Sequence, residues 1–172
     1  MYSICCTRKL LDRGAPQPGA ITTEPTTVLG NWYANLVIAR PQQLVVCISE
    51  RTLLPVIVPA KDIQRLPDRI AAAVAEILRK IGVAEEDVDA EIAEMQTADF
   101  SKTANRRLLG SLNDFVFHVQ HGAAMHPELT LGERALRLAR MPCAVLDFAY
   151  PSEAALAAFV TRKALKGAKS AA

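Results

Sequence analysis

Three β-prone runs separated by short turns constrain the fold of this chain more than any other feature. The runs cover residues 32–39, 43–49 and 53–58, and each is rich in β-branched, leucine or aromatic residues. Arg40-Pro41-Gln42 and Glu50-Arg51-Thr52 leave only a few residues for the connections. Connections this short join antiparallel neighbours, because a parallel crossover needs a dozen or more residues. The sequence therefore predicts a three-stranded antiparallel meander.

Helical periodicity replaces the strand pattern after Pro59. Apolar residues recur at three- and four-residue spacing over 63–81, and Gly82 follows as a C-terminal cap. A second apolar stripe runs over 104–121, where Thr103 is a good N-cap for the helix. Both stripes are typical of helices that bury one face against a core.

The C-terminal third predicts two further helices. A capping box that begins at Thr130 starts a helix to about Arg140, and Pro151 suits the first turn of a last helix. We predict an α+β fold in which an N-terminal antiparallel β-meander packs against a layer of about four helices. The expected bounds are 1–165 for a single domain and 166–172 for a flexible basic and alanine-rich tail.

The remaining segments are less regular. Residues 2–6 are β-prone, and Thr7 can cap a short helical turn after them. Residues 15–27 hold three prolines and four threonines, which indicates an irregular surface loop. An acidic helical turn is expected over 84–90. The segment 91–102 fits either a helix or a returning strand, and a strand after Ile92 is favoured.

Composition indicates a soluble domain that folds without a metal or a disulfide bond. The chain has 172 residues, 51% of them hydrophobic, and a domain of this length buries roughly two thirds of its unfolded surface. No apolar run reaches the roughly 18 residues that span a bilayer, so we expect a cytoplasmic protein with no membrane partner. The four cysteines form no C-x-x-C pair and are expected to be reduced. No cofactor is expected.

Charge is segregated along the chain, although the formal net charge is only +2. Residues 61–100 contain five basic and ten acidic side chains, whereas residues 101–172 contain ten basic and five acidic ones. Two interpretations stay open. The charges either belong to solvated helix faces, or the basic third forms a surface that binds an anion or nucleic acid.

Polar residues recur along one face of the predicted helix 104–121. The polar residues are spaced four, three, four and three positions apart, which places them on the face opposite the leucines. They are Arg107, Ser111, Asp114, His118 and His121. Asp114 and His118 lie one turn apart, a spacing that suits proton transfer or metal binding. The alternative is an ordinary solvated face, because a metal held at this spacing needs a further ligand from elsewhere.

The start of the same helix combines cations with backbone amides that a helix leaves unpaired. The residues concerned are Lys102, Thr103, Asn105 and Arg106. Cations beside a helix N-terminus are typical of a phosphate site. The alternative is a capped helix whose arginines pair with the acidic segment 85–94. Gly110 costs about 1 kcal/mol relative to alanine within a helix, which predicts close packing against its backbone.

Trp32 and Tyr33 lie beside Asn35 at the start of the meander. An aromatic pair of this kind is able to stack on a base or ring. The alternative is a core residue whose neighbour faces outward. The sequence contains no G-x-S-x-G, P-loop, G-x-G-x-x-G, H-E-x-x-H or EF-hand motif, which disfavours the enzyme classes that carry these signatures.

Three stretches of the chain resemble the motifs of an uncharacterised bacterial domain family. They are C-T-R-K-L from Cys6, L-G-N-W-Y-A-N-L from Leu29 and K-T-A-N-R-R-L-L-G-S-L-N-D-F from Lys102. The similarity runs from about residue 5 to 146. Because that family has no established activity, the resemblance implies a bacterial cytoplasmic protein and a shared fold, but no catalytic role. Its members tend to have a small hydroxyl residue in place of Arg107, so the resemblance does not single out that side chain.

The working hypothesis is an accessory binding protein for an anionic partner, either nucleic acid or a phosphorylated small molecule. The predicted binding residues are Trp32, Tyr33, Asn35, Lys102, Thr103, Asn105, Arg106, Ser111 and Asn113. One alternative is a hydrolase or nuclease-like enzyme that uses Asp114 and His118 as catalytic residues. Another is a protein-binding module of antitoxin or immunity type, which engages a protein partner through the acidic segment 85–94.

Overall fold

A five-stranded mixed sheet forms the centre of the fold in a computed structural model that describes residues 1–21 and 24–170. The strands are β1 Tyr2–Cys6, β2 Trp32–Ala39, β3 Gln42–Ser49, β4 Pro55–Pro59 and β5 Ala98–Lys102. They are arranged in the order β4-β3-β2-β1-β5. β2, β3 and β4 form the predicted antiparallel meander, while β1 runs parallel to both of its neighbours, β2 and β5. The meander is confirmed, and two parallel strands extend it.

Six α-helices surround the sheet in the described part of the chain. They are α1 Arg8–Leu11, α2 Leu66–Ile81, α3 Glu85–Glu94, α4 Arg106–Met125, α5 Leu131–Ala139 and α6 Pro151–Ser170. α4 packs across β2 and β3, whereas α2 and α5 pack against β4. The predicted α+β fold is confirmed. The helix predicted over 63–81 is also confirmed, because Gly82 ends α2 with a φ of 92° and donates to the carbonyls of Leu78 and Arg79.

β1 lies between two parallel neighbours, next to the edge strand β5, and is buried on both faces. All five of its residues are buried, as expected for a strand flanked by parallel neighbours and covered above and below. The register pairs Cys5 with Tyr33 and with Ser101, so these three side chains share one face of the sheet. α4 covers that face, because Asn35, two residues after Tyr33 on β2, is hydrogen bonded to Asn113 of α4.

Two strands, β4 and β5, begin two or more residues later than the sequence predicts. β4 begins at Pro55 rather than Leu53, because Leu53 takes a left-handed φ of 56° in the turn and donates to the carbonyl of Ser49. The returning strand is confirmed but begins at Ala98, because α3 continues to Glu94. Both differences arise where a turn or a helix end competes with the strand.

The predicted loop and tail are only partly covered by the described residues. Thr22 and Thr23, which belong to the predicted loop 15–27, lie outside them. In the covered part of that loop, Gly19 forms a β-bridge with Ser101 of β5 and so lies along the edge of the sheet. The α6 backbone reaches into the predicted tail 166–172, whose last two residues lie outside the described part, and the flexibility of this tail stays a prediction.

A buried carboxylate ties α3 to the loop before β2. The Glu91 side chain is 0% exposed and accepts hydrogen bonds from the backbone N–H of Val28 at 2.7 Å and of Leu29 at 3.0 Å. Arg162 of α6 lies 3.6 Å from the same carboxylate. Burial raises the pKa of Glu91, and the hydrogen bonds and Arg162 oppose that shift. The acidic segment 85–94 is therefore not a purely solvated surface.

The prediction of close packing at Gly110 is wrong. A methyl group added there would meet no atom within 4 Å among the described residues, and the position is exposed. We therefore expect Gly110→Ala to raise the free energy of unfolding by about 0.5–1 kcal/mol through helix propensity alone. Gly82→Ala also has open space, but its left-handed backbone should make it destabilising by about 1 kcal/mol. Urea titrations of both variants measure this contrast, and a loss of stability in Gly110→Ala would contradict it.

Glu91 should give the protein a pH-dependent stability of a defined sign. Because its pKa is raised in the folded state, the folded chain retains this proton at a pH where the unfolded chain has lost it. The stabilisation is present below the unfolded pKa of about 4.3 and is lost as pH rises through the raised folded value. Denaturant titrations across this range should show the parent losing stability relative to Glu91→Gln. Glu86→Gln changes an exposed carboxylate on the same helix, and the difference in stability between it and the parent should not vary with pH in this way.

Candidate functional site

A cleft opens where the parallel strands β1 and β5 end. The last residues of these strands, Cys6 and Lys102, are paired in register, and the Thr103 N–H donates to the Cys6 carbonyl at 3.2 Å. The cleft has a volume of about 670 Å³. Its walls come from the end of each strand, from α1 and from the loop that follows α1. Ligands of sheets with parallel strands commonly bind outside the carboxyl ends of the strands.

The charges that line the cleft favour an anion. Arg8 and Lys102 contribute two cations from different parts of the chain, and Asp12 is the single carboxylate among the lining residues. Arg8 Nε lies 3.8 Å from Asp12 Oδ2, but both side chains are largely exposed. An exposed pair at this distance is weak, so it leaves the Arg8 guanidinium available. Gln17 and Thr103 add a carboxamide and a hydroxyl to the same walls.

A chain of side-chain hydrogen bonds links the strand ends to α4. The Thr7 hydroxyl donates to Asn35 Oδ1 at 2.8 Å, and Asn35 Nδ2 donates to Asn113 Oδ1 at 3.4 Å. Thr7 follows β1, Asn35 lies within β2, and Asn113 lies on α4. The three segments that carry the family resemblance therefore meet where β1 ends. Thr7 precedes α1, as predicted, but its hydroxyl contacts Asn35 and does not cap the helix.

Asn105, and not the predicted Thr103, is the N-cap of α4. Its Oδ1 accepts from the backbone N–H of Arg107 at 3.0 Å and of Leu108 at 3.2 Å. Thr103 is held in the strand by its hydrogen bond to Cys6, so the helix begins at Arg106 rather than 104. The cap occupies two of the backbone amides that we had expected an anion to use. The cap leaves the side-chain cations of the cleft, Arg8 and Lys102, unaffected.

Three polar side chains, those of Cys5, Tyr33 and Ser101, lie together on the sheet face that α4 covers. The Ser101 hydroxyl donates to Cys5 Sγ at 3.3 Å, and Tyr33 lies beside Cys5 in the register of β1 and β2. Burial raises the pKa of Tyr33 to about 12 and also raises the pKa of Cys5. Burial likewise raises the pKa of Cys6, at the cleft wall, to about 12. These groups are neutral near pH 7, so they support the site and are not nucleophiles.

The polar face of α4 is only partly solvated, which corrects the prediction for Ser111. Ser111 is 8% exposed, because the segment 141–148 folds over this part of the helix. Arg107 holds that segment by donating from Nη2 to the Val145 carbonyl at 2.9 Å. Ser111, Asp114 and His118 line a pocket of about 320 Å³ under it, which shares no lining residue with the cleft.

The structure separates the predicted binding residues into distinct places. Lys102 and Thr103 line the cleft, while Asn35 and Asn113 form the hydrogen-bonded chain at its edge. Trp32 is 0% exposed, since it points to the sheet face opposite Tyr33. Burial keeps its indole away from any ligand in the cleft. Arg106 is exposed in the first turn of α4.

The sequence interpretation missed Arg8 and Gln17 as lining residues of the cleft. Arg8 belongs to the first family-like stretch, which was the available signal, but its place depends on the pairing of β1 with β5. No local pattern marks Gln17. Its position follows from the Gly19 bridge that holds the loop against β5.

A family model described as a domain of unknown function, DUF6933, matches residues 3–154. The chain belongs to this family. Its matched region contains β2 to β5, all of β1 except Tyr2, the helices α1 to α5 and the cleft. Membership agrees with the uncharacterised domain family that the sequence resembles. No curated protein and no solved structure matches the chain.

None of the helices in residues 1–21 and 24–170 is by itself long and apolar enough to cross a membrane, although α5 and the segment 144–165 reach that length and apolarity as a pair bent by 50°. In the same residues, histidine, cysteine and acidic side chains form no group of three that could hold a metal ion.

The N-cap assignment gives a direct stability test. Asn105→Ala removes the acceptor of two backbone amides and should lower the free energy of unfolding by about 1 kcal/mol. Thr103→Ala removes the residue that the sequence favoured as cap, and it should change stability by less than about 0.5 kcal/mol. Denaturant titrations of the two variants decide between the two caps. The Thr103 assignment would be restored if that variant suffered the larger loss.

Proposed function

We propose that the protein is a binding protein for a phosphorylated small molecule, which it holds in the cleft at the ends of β1 and β5. One observation carries the proposal. Arg8 and Lys102, which lie more than ninety residues apart in sequence, line the same cleft at the carboxyl ends of two parallel strands. A phosphate group between them would gain charge-assisted hydrogen bonds from both side chains.

The shape of the cleft supports a small ligand. Its volume of about 670 Å³ falls within the range of about 300–1,000 Å³ that is typical of small-molecule sites. Leu11, Ala15 and Pro18 give the walls an apolar part, and Gln17 and Thr103 supply groups that bind hydroxyls or ring nitrogens. A cleft with two cations and one carboxylate suits a phosphate on an organic body better than the repeated charges of nucleic acid.

The proposed site has a supporting layer of its own. Asn105 fixes the start of α4 beside Thr103, and the Thr7–Asn35–Asn113 chain holds β1, β2 and α4 together at the edge of the cleft. Side chains held in this way keep the lining residues in place before a ligand arrives, which lowers the entropic cost of binding. We include in the proposal the bacterial cytoplasmic setting that the resemblance implies.

Asp114 and His118 have no part in the proposed site. They line the pocket under the segment 141–148, and none of the lining cations of the cleft reaches that pocket. Asp114 also raises the pKa of the half-buried Cys143 thiol, after burial itself, so the thiol is protonated near pH 7. The proposed role of the cleft is therefore binding, with Asp114 and His118 outside it.

Binding of phosphate compounds tests the proposal. Isothermal titration of the parent with pyrophosphate and with glucose 6-phosphate should give saturable binding that weakens as salt rises. Lys102→Gln removes one charge-assisted contact and should weaken binding about tenfold. Lys61→Gln is the matched control, because Lys61 is exposed just after β4 at the opposite edge of the sheet.

Three outcomes would contradict the proposal. The parent would bind neither phosphate compound at low salt, Lys102→Gln would bind them as well as the parent does, or Lys61→Gln would lose as much affinity as Lys102→Gln. A single-stranded oligonucleotide titrated in parallel covers the nucleic-acid alternative. If the oligonucleotide instead binds more tightly than the phosphate compounds, Lys102→Gln should reduce the slope of log affinity against log salt by about one. That result would show that the cleft residues recognise nucleic acid.

A further inference from the structure

A second pocket lies between the C-terminal half of α4 and α5, outside the cleft. Its volume is about 300 Å³, at the lower end of the range for small-molecule sites. The apolar part of its wall consists of Val119, Met125, Leu129, Leu138 and Met141. Met125 is 74% exposed and forms the outer part of this wall. The pocket and the cleft share no lining residue.

The polar groups of this pocket are all basic or neutral. Three histidines and two arginines line it, and no aspartate or glutamate does. The Arg134 side chain binds the backbone: its Nε donates to the Leu129 carbonyl at 3.1 Å and its Nη2 to the His126 carbonyl at 3.2 Å. These bonds fix the turn that closes one end of the pocket. The Arg137 side chain is exposed and makes no hydrogen bond or ion pair among the described residues.

The histidines face the pocket without forming a metal centre. His121 Nδ1 lies 2.8 Å from the Phe117 carbonyl, and since a carbonyl only accepts, this nitrogen carries the proton and Nε2 is left as an acceptor when the ring is neutral. His126 Nδ1 lies 3.3 Å from Glu128 Oε1. In the described part of the chain, these side chains are not among any group of three metal ligands.

We propose that this pocket binds an amphiphilic carboxylate, that is, a molecule with an apolar body and one carboxylate head. The apolar wall would bury the hydrocarbon part, and the Arg137 guanidinium would pair with the head at the rim. A neutral apolar ligand would leave Arg137 without a partner. A cationic head is disfavoured, because no carboxylate lines the pocket and the one nearby on the turn, Glu128, is bonded to His126.

The experiment distinguishes the contribution of the carboxylate head to binding from that of the apolar body. Decanoate and decanol, both below the concentrations at which they aggregate, are titrated into the full chain and followed by isothermal calorimetry. The parent should bind one decanoate and bind decanol more weakly. Arg137→Gln should weaken decanoate binding about tenfold, the effect of one charge-assisted contact, and leave decanol unchanged. Arg140→Gln, an exposed arginine one turn away that does not line the pocket, should behave as the parent does.

A second variant tests the apolar wall. Met125→Gln replaces an exposed side chain, so the fold should persist, and it should weaken decanoate and decanol by a similar factor. The proposal is overturned if decanoate shows no saturable binding, if decanol binds as tightly as decanoate, or if Arg137→Gln leaves decanoate affinity unchanged. Because the cleft shares no residue with this pocket, the phosphate titrations and these titrations fail independently.

Discussion

The parallel pairing of β1 with β2 on one side and β5 on the other is the constraint on which the rest of the structure depends. It joins the N-terminus of the chain to a strand that begins almost a hundred residues later. The pairing continues past the strand ends, because the Thr7 N–H donates to the Ala34 carbonyl and the Thr103 N–H donates to the Cys6 carbonyl. Those two bonds set where α1 and α4 begin, and so they set the walls of the cleft.

Local signals were sufficient for most of the elements. Short connections define the meander, Gly82 ends α2 as predicted, and the capping box at Thr130 is present at the start of α5. The position of β5 beside β1 could not be predicted in this way. A strand pattern shows that a segment pairs, but the choice of partner depends on the packing of every element between them.

In the candidate site, too, some features follow from local sequence signals and others depend on tertiary packing. Lys102 was predicted from the density of polar residues around one helix start, and it lines the cleft. Thr103 and Asn105 are both good caps by residue type, and only the hydrogen bond from Thr103 to β1 decides between them. Trp32 is buried, as the core alternative for that residue predicts. Ser111 is buried because the segment 141–148 covers it, and burial of that kind is a tertiary property with no local signature.

The bridge between β1 and β5 also has a consequence for the order in which the molecule assembles. The meander and α2 make contacts that are close in sequence, whereas the residues that pair β1 with β5 lie 96 positions apart, as Ser101 and Cys5 do. Contacts of such long range pay a larger loop-closure entropy and are expected to form late. A partly folded chain would hold a complete hairpin layer but no cleft. Ligand binding would therefore report on completion of the last step of folding, and a ligand present during refolding would stabilise the finished sheet alone.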